Sequence, residues 1–300
     1  MSLLSHLRAT VVAILYLVIL ILWFIPLALF GLFCYLIPIK CWQRMCKQIM
    51  ERLPVYWIQT NYYLQQVTTP IEWQVTGLEK LSPHHWYLLV ANHQSWTDIL
   101  VLQRIFNHKI PPLKFFLKRE LLWTLPFASW ACWLLGFPFV HRPSKSTLAK
   151  HPERKNKDIE ETKRACRRFR AIPTTVANFI EGTRFTEEKR VTQRSPYQHL
   201  LHPKAAGIAF SLTVLGDVFT TILDVTIVYP AEKKSLWEFL RGKIKKIVVH
   251  VQPIAITQEY RGDYQHDRSF RVRFQRKLDA LWKEKDQRMS ELQRMLHERS

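Results

Sequence analysis

The stretch Asn92-His93-Gln94-Ser95-Trp96-Thr97-Asp98 sets an imidazole and a carboxylate five positions apart. At that spacing a carboxylate can orient a histidine that acts as a general base. The run before it, Trp86-Tyr87-Leu88-Leu89-Val90-Ala91, is short and apolar enough for a buried strand, and Ser95 to Phe106 has the pattern of the helix that follows. His93 is therefore expected on a strand-to-helix turn. With Ser95 or a neighbour opening the helix, Asp98 falls in its first turn and can hydrogen-bond one ring nitrogen, leaving the other as a proton acceptor. A histidine near an aspartate is common on protein surfaces, so the pair needs support from elsewhere in the chain.

That support is Phe179-Ile180-Glu181-Gly182-Thr183-Arg184, again directly after a strand-like run, Thr174 to Phe179. Two polar clusters at the ends of two strands point to one cleft. An imidazole, with an ordinary pKa of about 6.5, suits removal of a proton from an attacking hydroxyl near neutral pH. Backbone N–H groups at the turn or the start of the helix are the expected donors to an oxyanion. A hydrolase using the same pair would usually add a nucleophile of the Gly-x-Ser-x-Gly kind, and the chain has none. A basic, non-catalytic membrane scaffold would need neither cluster.

Taken together, these residues resemble the glycerolipid acyltransferase family, the lysophosphatidate and related lysophospholipid acyltransferases, whose defining motifs NHxxxxD and EGTR both stand here intact. The resemblance runs from about Trp73 to Val251. Between the motifs, Lys118, Glu120, Leu121, Pro126, Gly136 and Arg142 match the family's second block. Two features depart from its pattern: Ile180 stands where proline is common, and the proline-rich fourth block is represented only by Leu223 to Pro230. Longer strings, such as His151 to Arg154, are most similar to a bacterial inner-membrane branch of the family.

The resemblance implies transfer of a fatty acyl group from acyl-CoA or acyl-ACP to a lysophospholipid, with 1-acyl-glycerol-3-phosphate as the expected acceptor and phosphatidate as product. Acceptors with other head groups are the alternative. His93 would be the base and Asp98 its orienting group, with no acyl-enzyme. Arg184, Arg142 and Lys118 are the cations expected to hold the acceptor phosphate, arginine by a bidentate grip. Gly182 would allow close backbone approach, Thr183 could add a hydroxyl contact, Glu181 would orient Arg184 or the acceptor glycerol, and Lys204 is a further phosphate candidate. Beyond the acyl donor as co-substrate, no cofactor and no metal are expected.

No charged residue occurs from Ala9 to Ile39, a run of roughly thirty that exceeds what the hydrocarbon core requires. It should span or embed in a membrane, as a tilted single helix or a bent pair of short ones around Pro26. Lys40, Arg44 and Lys47 follow it against Arg8 before it, so the positive-inside rule puts the rest of the chain in the cytoplasm. With the family branch, this points to the bacterial inner membrane. A second charge-free run, Leu121 to Val140, contains Pro126, Gly136 and Pro138. Were it to cross, the two motifs would face opposite compartments. It is expected instead as a helix of the catalytic domain that packs on the sheet or dips into the interface, its tryptophans either interfacial or ordinary core.

The formal net charge of +20 would draw the chain to anionic lipid head groups. It would equally attract nucleic acid, but no helix-turn-helix, zinc-ligand spacing or RNA-binding aromatic motif accompanies it, and nucleic acid is not an expected partner. The 5 cysteines are scattered, with no CxxC pair. Strand-like runs near Trp73 to Val75, 86–91, 114–117, 137–140, 176–180, 225–228 and 247–251 alternate with helical stretches, which argues an α/β fold with a mixed sheet flanked by helices. Residues 1–60 are expected to form the anchor and a juxtamembrane helix, and 61–300 the acyltransferase domain. Residues 141–157 read as a surface loop and 158–170 as a helix. Phe270, Phe274, Leu278, Leu281 and Trp282 recur at helical spacing, as in a C-terminal helix docking on its own domain.

Overall fold

The computed structural model describes residues 2–140, 166–170, 172–229 and 234–298. The chain opens with α1 (Ser2–Leu36), apolar all round and unbroken through Pro26. By length and composition it can cross a membrane. After Pro38 the chain reverses into α2 (Lys40–Thr68), which is amphipathic and buries Cys46, Met50, Ile58, Asn61 and Gln65. The reversal supplies its own cap, because Trp42 Nε1 and Gln43 Nε2 donate to the last carbonyls of α1, Phe33 O and Cys34 O, each at 3.2 Å. The two helices pack along each other, with Trp23 stacked on Tyr56 and donating to Thr60 Oγ1. The expected division at residue 60 falls inside α2.

The core of the fold is one six-stranded mixed sheet. Its strands are β1 (Glu72–Thr76), β2 (Tyr87–Ala91), β3 (Leu113–Phe115), β6 (Thr175–Phe179), β7 (Thr221–Val228) and β8 (Lys246–Ala255), in the order β1-β8-β7-β2-β6-β3. β3, β6, β2 and β7 run parallel to one another, and β8 turns back antiparallel on β7. A sheet covered on both faces needs apolar residues throughout its central strands, and every residue of β2 is buried. On one face lie α3 (Thr97–Phe106), the start of α1 and the short helix α8 (Leu236–Leu240), packed over Tyr87, Leu89 and Ala91. On the other, α7 (Ala205–Leu215) and α9 (Arg268–Glu298) cover Leu88 and Val90. The expected C-terminal helix is there, and its Phe274, Leu278 and Trp282 are buried.

Residues 121–140 depart from expectation. They form two short helices, α4 (Leu121–Thr124) and α5 (Ala128–Leu134), and a strand, β5 (Phe139–Val140), which pairs with β4 (Leu117–Lys118) in a separate two-stranded sheet. Pro126 splits the helices and Gly136 and Pro138 end the second. Their tryptophans are not core. Trp123 is 83 % exposed and Trp133 62 %, and the segment meets α1 through Phe24 against Phe127 and Trp130. The expected loop and most of the expected helix over 141–170 lie outside the described residues, apart from a single 3-10 turn at Arg167–Arg170.

Candidate active site

Register assembles the site. Parallel pairing sets Ala91 level with Phe179 on one side and Val225 on the other, so the residues two positions on, His93, Glu181 and Ile227, emerge together at the C-terminal edge of the sheet. Ligand sites in sheets with parallel strands form at that edge. Asn92 fastens the turn to its neighbour: its side chain donates to Ile227 O at 2.9 Å and accepts from Ile227 N at 2.8 Å.

His93 Nδ1 lies 2.8 Å from Asp98 Oδ2. Asp98 is fully buried in the first turn of α3, where the helix dipole favours a negative charge. It also accepts from the backbone N–H of Gln94 at 2.6 Å and Ser95 at 2.9 Å, and its other oxygen accepts from Tyr229 Oη at 2.6 Å. Burial and the adjacent carboxylate hold the Tyr229 phenol well above its ordinary pKa, so it stays a donor. A carboxylate with these donors is fixed as an acceptor, which assigns the proton to Nδ1 and leaves Nε2 as the basic nitrogen. Of the turn's N–H groups, among which an oxyanion's donors were expected, those of Gln94 and Ser95 are committed to Asp98 and that of Thr97 to Ser95 Oγ.

Glu181 takes a different place from the one its motif suggested. It is 1 % exposed, and its two oxygens accept from the backbone N–H of His93 and of Leu201, each at 2.8 Å, rather than orienting Arg184. Burial pushes its carboxyl up to about 7, against the pull of those N–H groups and of the nearby Lys285 charge. The imidazole stacks on Phe179, ring centres 4.1 Å apart, and Phe179 stacks on Phe115. That contact and the Asp98 bond together fix the plane of the ring.

The rest of the second motif wraps the same turn, with Phe185 N–H donating to His93 O at 2.7 Å. Gly182 has φ +71°, and a Cβ there would meet Lys204 Nζ at 3.0 Å, so the close approach expected of this glycine is made by Lys204. Arg184 lies over the Trp96 ring, 5.4 Å from its centre, which sets the guanidinium beside the His93 turn. Thr183 Oγ1 accepts at 2.8 Å from Nζ of Lys189 on α6 (Glu187–Thr192), a cation the sequence reading did not single out. Lys118 is exposed on β4, and no contact joins it to these groups among the described residues. Arg142 lies outside the described residues. Tyr229 was also missed; its signal was a tyrosine directly after a strand parallel to the motif strand.

Beside the turn, an apolar cavity of about 300 Å³ opens between α1, α2, α3 and the 112–137 segment. Leu27, Trp57, Trp96, Ile99, Phe115 and Leu135 are among its lining residues. Two of them touch the site: Trp96 carries Arg184, and Phe115 backs the Phe179 ring under His93.

Residues 72–230, more than half of the chain, match the sequence model of the family described as Acyltransferase. The chain is 38% identical over 69 residues to 1-acyl-sn-glycerol-3-phosphate acyltransferase alpha of Mus musculus, 23% of this chain and 23% of that protein. It is 29% identical over 147 residues to 1-acyl-sn-glycerol-3-phosphate acyltransferase of Saccharomyces cerevisiae, 48% of this chain and 44% of that protein. The matches thus span less than half the length of these relatives. The crystal structure of the 1-acyl-sn-glycerophosphate (LPA) acyltransferase PlsC from Thermotoga maritima is similar with a TM-score of 0.49 and 16% identity, covering 93% of this chain and 96% of that one. Both polar clusters lie inside the matched stretch 72–230, and on that match the chain belongs to the Acyltransferase family.

Proposed function

We propose that this protein transfers a fatty acyl group from a thioester donor, acyl-CoA or acyl-ACP, to the free hydroxyl of a lysophospholipid, with 1-acyl-glycerol-3-phosphate as acceptor and phosphatidate as product. The observation that carries the reading is the His93–Asp98 pair at 2.8 Å, with Asp98 held by three further donors so that Nε2 is left to accept a proton. The acceptor hydroxyl gives its proton to Nε2 as its oxygen attacks the thioester carbon. The tetrahedral intermediate collapses by breaking the C–S bond, and the imidazolium returns the proton to the departing thiolate. The relatives named for 1-acyl-sn-glycerol-3-phosphate support the acceptor.

Arg184, Lys189 and Lys204 gather beside the turn and suit a phosphate monoester. The apolar cavity against Trp96 and Phe115 suits the acyl chain of the donor. In this reading α1 anchors the chain in the bacterial inner membrane and the core lies on its cytoplasmic side, where the lipid substrate is delivered in the plane of the bilayer.

Membranes containing the protein, given labelled acyl donor and a panel of lysophospholipids, should form labelled diacyl product, fastest with the phosphate monoester. Release of free fatty acid at one rate whatever the acceptor would make it a thioester hydrolase instead. Arg184→Ala should raise the KM for the phosphate-bearing acceptor by about tenfold and leave that for the donor within about twofold.

A further inference from the structure

α9 lies outside the stretch that matches the family, yet it supports the site from behind. Gln275, Trp282, Asp286 and Ser290 are seven, four and four residues apart, two turns and then one turn each, and so fall on one stripe of the helix. This stripe meets residues 197–203, an irregular segment whose buried backbone groups must find partners. Asp286 accepts from the N–H of Gln198 at 2.8 Å and of His199 at 2.7 Å. Trp282 Nε1 donates to Leu201 O at 3.0 Å, and Gln275 Nε2 to Pro203 O at 3.2 Å. Between these fastenings, Leu201 N–H donates to Glu181, whose other oxygen accepts from His93 N–H. A continuous line of hydrogen bonds therefore runs from α9 to the main chain of the base.

A second link is electrostatic. Lys285 is 0 % exposed, donates to Val225 O at 2.6 Å and pairs with Asp224 at 2.6 Å, and Asp224 also pairs with Arg288 at 3.0 Å. A fully buried ion pair is a poor way to add stability, since apolar residues of the same volume usually do as well. Among the described residues, the charged groups that act on Glu181 are Lys285 from α9, which supports its carboxylate, and Asp98 from α3, which opposes it.

We propose that α9 is a positioning element for the general base, with Trp282, Lys285 and Asp286 as its positioning residues: they fix the Leu201 N–H and set a cation behind Glu181, and Glu181 fixes the backbone of His93. The proposal rests on the reading of His93 as the base.

The test uses the full-length protein in membranes and compares Trp282→Phe, Asp286→Ala, Lys285→Met and His93→Ala. Trp282→Phe and Asp286→Ala should each lower kcat on the order of tenfold, with both KM values within about twofold and the same amount of folded protein. Asp286→Asn, which keeps an acceptor, should recover part of the loss. Lys285→Met should move the acid limb of the kcat profile to higher pH by about one unit, because Glu181 loses the cation that favours its charged form. If Lys285→Met does not accumulate, the two milder variants decide by their kcat-against-KM split. Wild-type kcat and pH profile in the α9 variants, with His93→Ala inactive, would overturn the positioning role alone. Activity in His93→Ala would overturn the base assignment and this proposal with it.

Discussion

Around His93, each polar atom is defined by the partner to which it is committed. Asp98 accepts from Nδ1 of the imidazole, two backbone N–H groups and a phenol. Asp98→Asn therefore does more than remove a charge. It turns an amide donor toward groups that donate and favours the wrong tautomer, so kcat should fall by about a thousandfold while KM changes little, as steady-state assays can check. Gly182→Ala would force a side chain into the left-handed region at φ +71° and against Lys204. A cost of about 1–2 kcal/mol follows, read as a lower Tm. The pairing of His93 with Asp98 and the tight backbone at Gly182 were legible in the sequence because both depend on local spacing. The role of Glu181 was not, since its partners, the N–H groups of His93 and Leu201, are set by register and by a distant loop. Nor was that of Lys285, which in the sequence is one basic residue among the charges of a long helix.

Among the elements, β2 and β6 make the site. Their parallel register brings together two turns that are far apart in the chain, and alternation of apolar runs with helical stretches was enough to foresee the sheet but not its strand order. Within 121–140 the strand at its end was foreseen and is present as Phe139–Val140, but the helix expected before it is split, because apolar composition outweighed Pro126 and Gly136 in the reading whereas in the fold each of these breaks it. The cavity that this segment builds with α1 and α2 offers a test of the donor site. Leu27→Trp should fill part of it and slow transfer from long-chain donors more than from short-chain ones; equal slowing would put the acyl chain elsewhere. The buried strap at Glu181 has a cost in stability. Its folded pKa of about 7 lies above the ordinary 4.5, so between those values the folded protein holds a proton that the unfolded chain gives up. The group's contribution to stability is therefore greatest at low pH and declines as pH rises through that window. Relative to Glu181→Ala, the Tm of the wild-type protein in detergent should fall from pH 5 to pH 7. A parallel course of the two would remove this carboxyl from the balance.

In the molecule taken entire, a long apolar helix, an excess of basic residues and the exposed Trp123 and Trp133 are compatible with association with a bilayer. α1 with its mostly exposed apolar faces, together with Trp123 and Trp133, would meet hydrocarbon and interface, and the +20 charge would meet anionic head groups. The chain should stay with the membrane pellet through high salt and alkaline carbonate, since burial of α1 is not screened by ions; release by salt alone would mean a purely electrostatic attachment. The charge and the apolar helix were evident from composition, and a juxtamembrane helix after it was expected, but the pairing of α2 along α1 was not, because its buried face is defined by what α1 and α3 present to it. The proposed activity comes down to one event, the passage of a proton from a lipid hydroxyl to Nε2 of His93. Phosphatidate formation by His93→Ala in membranes, with labelled acyl donor and 1-acyl-glycerol-3-phosphate, measures it most directly. With His93 as the base, kcat should fall by at least about a hundredfold at unchanged membrane content of the protein; turnover close to that of the wild type would rule the base assignment out.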